Sequence, residues 1–160
     1  RNTSREANGG YIVGFVFNKP GNLTLVSYEY AVPEGSSFII SSTDNGINGQ
    51  PYGYFDVLAS TSTSFEGGGA PQAGIPVNSY ANFIFQFTGP NLAALTAESF
   101  LNTYSTTGDA SFVVRFRGFE NDASDKVPAT ANGAQVPEPG TMLLLGLGLL
   151  GLGITTRRKS

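Results

Sequence analysis

The 160-residue sequence contains no cysteine, no histidine and no tryptophan, and it has a single methionine. Without cysteine there are no disulfides, thiolate nucleophiles or cysteine metal sites. Because histidine is the commonest general base and transition-metal ligand, its absence excludes Ser-His-Asp, Cys-His and His-zinc chemistry. Charged residues make up only 13% of the chain, about half the usual share of a soluble domain. These absences favour a protein that is not an enzyme and that needs no cofactor.

The few charges are unevenly distributed along the chain. Residues 1–136 carry eleven acidic and six basic side chains, a net charge of −5, whereas three of the nine basic residues stand together at 157–159. Nucleic-acid binding requires a basic face that neutralises phosphates. The acidic body therefore argues against nucleic acid as a partner.

Short apolar runs are abundant, and turns rich in glycine, proline and asparagine separate them. Six such runs lie at 11–17, 23–32, 37–41, 52–59, 82–87 and 111–118. In the last run Phe112 and Val114 alternate with Val113 and Arg115, which predicts a strand with one buried and one wet side. The runs predict an all-β fold, an antiparallel β-sandwich that is jelly-roll-like or Ig-like. Helical spacing over 97–104 adds one short helix.

The C-terminal tail has three consecutive parts. They are the motif Pro137, Glu138 and Pro139, a predicted transmembrane helix at 141–156, and the membrane stop Arg157, Arg158 and Lys159. The uncharged stretch 140–156 would span about 26 Å as a helix, close to the ~27–30 Å of a hydrocarbon core. A basic cluster stays on the cytoplasmic side, so the body would lie outside the membrane.

This arrangement resembles a PEP-CTERM sorting signal, and the resemblance is confined to the tail from Val136 onward. It implies a bacterial protein that is exported to the cell envelope, surface or extracellular matrix and is transiently anchored in the inner membrane. It also implies exosortase as a partner that acts near the Pro-Glu-Pro motif. Proteins of this family are associated with exopolysaccharide and biofilm. The chain would be the substrate of this processing and not its catalyst.

Three regions follow from these patterns. We expect an extracellular β-sandwich domain at 1–120, a flexible linker at 121–136 and the sorting signal at 137–160. The linker prediction rests on a polar segment followed by one rich in alanine, proline and glycine. Because the chain begins at Arg1 without an apolar signal sequence, we expect a fragment or a processed product, and a further strand could precede Arg1.

Two sets of body residues are candidate binding sites. Asp44 and Asn48 offer oxygen ligands among glycines and suggest calcium, with an Asn-Gly turn as the alternative. Tyr52 and Tyr54 would share one strand face and could stack on sugars, with core packing as the alternative. Together they define an alternative function, a calcium-assisted polysaccharide-binding module.

A hydrolase that uses two carboxylates remains a third hypothesis. It needs an acid and a base at a defined separation, and no spacing in the sequence singles out such a pair. Asp56 lies in an apolar run, where burial could raise its pKa, although such residues more often face solvent or cap a turn.

Overall fold

The computed structural model of the protein describes residues 1–5, 9–108, 110–120 and 122–129. These residues form seven β-strands, one α-helix and two short 3-10 helices. The elements are β1 (Gly9–Phe17), β2 (Thr24–Ala31), β3 (Ile39–Asn48), β4 (Tyr54–Ser60), β5 (Asn82–Thr88), α1 (Ala97–Leu101), β6 (Phe112–Phe119) and β7 (Ser124–Ala129), with 3-10 helices at Pro71–Ala73 and Leu92–Ala94.

The strands form two antiparallel sheets. The large sheet has five strands in the order β3-β4-β1-β6-β7, and β2 pairs with β5 in a small sheet of two. The prediction of an antiparallel all-β fold with one short helix is therefore confirmed. The finer choice between a jelly-roll-like and an Ig-like fold stays a prediction.

One face of the large sheet, here called the sealed face, is closed off from solvent. Its buried cluster is Val16, Ile47, Phe55, Leu58, Phe65, Ala110 and Val113. Phe65 belongs to the serine- and glycine-rich segment 61–70 between β4 and β5, and its ring is 1% exposed. A connection without regular strands therefore covers this face and contributes a core residue to it.

The sealed face corrects the prediction that β6 has a wet side. Val113 is fully buried and Arg115 is 9% exposed, because segment 61–70 lies over them. The alternation of the sequence identified the two faces of β6 correctly but could not show that a distant segment covers the face that carries the arginine.

The opposite face of the large sheet, here called the cleft face, packs against the small sheet through aromatic rings. The ring of Phe15 in β1 lies 4.9 Å from that of Phe83 in β5, and Phe17 lies 5.2 Å from Phe85. Thr24 and Leu25 at the start of β2 line a common pocket with residues 42–44 of β3, so the small sheet approaches the large one there. On β7, Val127 pairs with Val114 and is 47% exposed, so cover of this face is incomplete.

Strand β7 corrects the predicted start of the linker at 121. Residues 124–129 hydrogen-bond to β6 in register, with Arg115 opposite Lys126 and Phe112 opposite Ala129. An edge strand tolerates charge and proline, because one of its two edges makes no ladder hydrogen bonds. The polar character of this segment, including Pro128, therefore suits an edge strand as well as a linker. Residues 130–136 lie outside the described residues.

The short helix is shorter than predicted and better capped. Helix α1 ends at Leu101, where the spacing predicted residues up to 104. The amide of Thr96 donates to Ser99 Oγ at 3.1 Å. Serine thus fills the place where a glutamate or glutamine is usual in a capping box.

No helix within the described residues is long and apolar enough to cross a membrane. The predicted transmembrane helix at 141–156 lies outside the described residues.

Candidate functional site

The most prominent concave feature is a cleft of about 930 Å³ on the cleft face. Three structures form it: β5 of the small sheet, strands β1 and β6 of the large sheet, and the helical connection between β5 and β6. Phenylalanine side chains dominate its lining: Phe15, Phe17, Phe83, Phe85, Phe87, Phe100 and Phe112.

Strand alternation and a helical turn position these rings. Along β5 every second residue is a phenylalanine directed toward the large sheet, and each of the three is half-buried. Phe100 of α1 closes one end, with its ring 5.6 Å from Phe87 and 6.5 Å from Phe17. The alternating phenylalanines that predicted a strand therefore also line the cleft. The cleft is complete only because α1 and β1 pack against this side of β5.

The chemistry of the cleft is that of an apolar binding site. Among the described residues that line it, Arg1 is the only charged one. Ser111 also contributes to the lining, but its hydroxyl donates to Ala129 O at 3.1 Å. Ligand sites of this volume usually combine apolar walls with a few polar groups that orient the ligand. Within the described part of the chain, Arg1 and Ser111 are the only polar side chains in this lining.

Of the two predicted calcium ligands, Asp44 lies inside an irregular stretch of β3 and Asn48 is the last residue of that strand. The pairing of β3 with β4 shifts between Ser42 and Ile47, so the predicted turn at Asp44 forms part of a distorted strand. Asp44 Oδ1 accepts from Lys19 Nζ at 2.5 Å, and Asn48 Oδ1 accepts from the amide of Gln50 at 3.1 Å. Within the described ranges, no group of three or more acidic residues could hold a metal ion. The calcium site stays a prediction.

Asp56 has a structural position. Its side chain is largely buried, and its two oxygens accept backbone N–H groups: Oδ2 from Lys19 at 3.1 Å and Oδ1 from Asn45 at 2.7 Å. The carboxylate thereby ties the end of β1 to the irregular part of β3. Both hydrogen bonds satisfy a buried acceptor, which is the usual arrangement for a carboxylate in a core.

The two candidate sugar-stacking tyrosines differ in their surroundings. Strand β4 begins at Tyr54, so Tyr52 lies in the preceding turn and not on a shared strand face. Tyr52 packs against the core cluster of the sealed face, and its hydroxyl lies 3.5 Å from Lys126 O. Tyr54 is 41% exposed. Sugar binding by this pair stays a prediction.

The remaining cations of the large sheet hold segment 61–70 in place. Arg115 Nη1 donates to Phe65 O at 2.5 Å and to Gly67 O at 2.8 Å. Burial lowers the pKa of the Arg115 guanidinium, whereas Glu66 raises it and Arg117 lowers it further. On β7, Lys126 Nζ pairs with Glu66 at 2.6 Å. These contacts hold segment 61–70 against the large sheet. The sequence did not indicate them, because the partners are far apart in the chain.

The sorting motif at 137–139 and the membrane stop at 157–159 lie outside the described residues. Residues 135–159 match the family model of the PEP-CTERM protein-sorting motif. The motif implies export, a surface or envelope location, and exosortase as the processing partner. No curated protein and no solved structure matches the chain.

Proposed function

We propose that this chain is a non-enzymatic bacterial surface or extracellular-matrix protein whose C-terminal signal is recognised and cleaved by exosortase. The observation that carries the proposal is the sorting-motif match at 135–159. An association with biofilm or exopolysaccharide is the finer part of the proposal, and it rests on the resemblance of the tail to this class of sorted proteins.

The use of charge in the body supports a non-enzymatic role. General acid–base catalysis needs titratable groups that face a common reacting atom. Asp56 is engaged by two backbone amides, and Arg115 is engaged by two carbonyl oxygens. The cleft of about 930 Å³ is lined mainly by aromatic and aliphatic side chains, with Arg1 as its one charged residue within the described part of the chain. Such a lining can bind but offers no acid and base pair.

The chemistry of the tail supports processing at the motif. Prolines at 137 and 139 disfavour helix, so Glu138 would lie in an extended segment ahead of the apolar stretch. The predicted transmembrane helix at 141–156 would hold this segment at the membrane surface, where a membrane enzyme acts. The basic residues at 157–159 would fix its orientation.

The test is the intact mass and C-terminal peptide of the protein recovered from its producing bacterium. We expect a new terminus near Pro139, and any excess mass there identifies the group to which the protein is attached. Replacement Glu138→Ala should leave the residues beyond the motif attached. Glu120→Ala, an exposed acidic residue of the body, is the matched control and should be processed normally.

Recovery of wild-type protein that keeps the residues beyond the motif would overturn the proposal. In that case the tail would act as a plain membrane anchor. Processing of the Glu138→Ala variant at the wild-type rate would show that the enzyme does not read this motif.

A further inference from the structure

The phenylalanine-lined cleft leaves apolar side chains open to solvent. Leu92 and Leu101, both in its lining, are 44% and 41% exposed. Contiguous apolar surface of this kind on a water-soluble domain usually marks an interaction site. An apolar segment close to the cleft would therefore be a suitable partner for it.

The path of the chain brings its own tail to this position. Ala129, the last residue of β7, pairs with Phe112, and its carbonyl accepts from the amide of Ser111 at 3.2 Å. Both Ser111 and Phe112 line the cleft. The described end of β7 therefore lies at the rim of the cleft.

The length and composition of the remaining residues, 130–160, match the cleft. Residues 130–140 could span at most about 40 Å when extended, which is ample for a segment that starts at the rim. Residues 141–154 carry no charge and include seven leucines. Tethering by a short linker gives an effective concentration on the order of mM, so that even weak docking would be populated.

We propose that the apolar segment 141–154 docks in the phenylalanine-lined cleft whenever it is not inserted in a bilayer. Docking shields the leucines of the segment and the exposed leucines of the cleft at the same time. A bilayer buries the whole segment and so competes with the cleft, which holds only part of it. Cleavage at 137–139 would detach the segment and empty the cleft. The docking itself needs no exosortase, so its test is independent of the proposed function.

Introduced cysteine pairs test the proposal cleanly, because the natural chain has no cysteine. The test pair is Leu101→Cys with Leu145→Cys in the full chain, synthesised without detergent at low concentration. The control pair is Tyr54→Cys with Leu145→Cys. Tyr54 and Leu101 are equally exposed, at 41%, but Tyr54 does not line the cleft. Mild oxidation followed by non-reducing electrophoresis measures the disulfide within one chain.

We expect the intramolecular disulfide to form at least about fivefold faster in the test pair than in the control pair, because the tether acts on both pairs and docking would hold position 145 beside the cleft only. Added phospholipid vesicles should lower the yield of the test pair, since the bilayer competes for the segment. Should Leu101→Cys disturb folding, Leu92→Cys provides a second position in the cleft lining.

Equal rates in the two pairs would overturn the proposal, because they indicate random encounters of a free tail. Disulfides formed mainly between two chains would also overturn it and would assign the cleft to a second copy. A yield that vesicles leave unchanged would contradict the competition with the membrane.

Discussion

The two faces of the large sheet are covered in different ways and to different degrees. On the sealed face, Val16, Phe55 and Val113 have no measurable exposure. On the cleft face, Phe17 and Phe112 are only half-buried, although they are equally apolar. The sealed face is covered by a segment that the buried Arg115 and the partly exposed Lys126 hold in place, whereas the cleft face is covered by a narrower sheet of two strands. The comparison shows that apolar composition does not decide burial; the covering element does.

The largest expected effect comes from truncating one aromatic residue on each face. Phe55→Ala should lower the free energy of unfolding by about 3–5 kcal/mol, because it opens a cavity in a fully packed cluster. Phe87→Ala should cost only about 1 kcal/mol, since its ring is half-buried beside the cleft. Urea unfolding of both variants measures the difference. Equal losses would mean that the cleft face is packed as tightly as the sealed face.

The second prediction concerns the guanidinium that holds the cover of the sealed face. Arg115→Met keeps an unbranched apolar stem but removes the guanidinium and both of its hydrogen bonds to segment 61–70, which should cost about 2 kcal/mol. Arg117→Met is the control: it removes one exposed hydrogen bond, to Gly69 O at 3.0 Å, and should cost under about 1 kcal/mol. Limited proteolysis should cut segment 61–70 faster in Arg115→Met. If both variants are cut at the wild-type rate, Arg115 does not hold the segment.

The third prediction concerns the carboxylate that ties β1 to β3. Asp56→Ala leaves the amides of Lys19 and Asn45 without their acceptor and should cost about 1.5 kcal/mol. Glu34→Ala, which removes an exposed carboxylate, is the control and should change stability by less than about 0.5 kcal/mol. Thermal unfolding compares the two variants. Equal losses in the two variants would mean that the hydrogen bonds of Asp56 do not stabilise the fold.

The smallest expected effect is at the rim of the sealed face. Glu66→Gln breaks the partly exposed ion pair with Lys126 and should cost about 0.5 kcal/mol or less. The loss should vanish in about 1 M salt, where the Debye length falls to about 3 Å. The loss in Phe55→Ala should persist in the same salt. A loss in Glu66→Gln that salt does not reduce would show that the effect comes from packing.

Most of the strands could be predicted from alternation alone, but their ends and neighbours could not. The run at 82–87 became β5 almost unchanged, because every second side chain is a phenylalanine. Strand β3 extends to Asn48, beyond the predicted run, because the carboxylate of Asp56 stabilises a distortion that reads as a turn in the sequence. Strand β7 was missed because an edge strand needs little apolar character.

At the candidate sites, too, the sequence indicated the residue types but not their tertiary partners. Asp56 was expected more often to face solvent or cap a turn than to be buried. Its side chain is largely buried, and its two amide partners come from β3 and from just after β1. Tyr52 was placed on a strand face with Tyr54, whereas the turn before β4 directs it to the core. The cleft was not anticipated, since strand alternation indicates which side chains share a face but not how completely that face is covered. The one available signal was the adjacent helical spacing at 97–104, which places Phe100 against the end of β5.

The sequence by itself determined the sorting tail, because the match to the sorting motif at 135–159 depends only on the order of residues along the chain. It also determined the antiparallel β character of the body, since strand alternation is a local property. Only the tertiary structure decided which face of β6 is buried, which carboxylate is satisfied and where a cleft opens. These features depend on residues far apart in the chain, such as Arg115 with Phe65 or Phe17 with Phe100, whose contact no local pattern records.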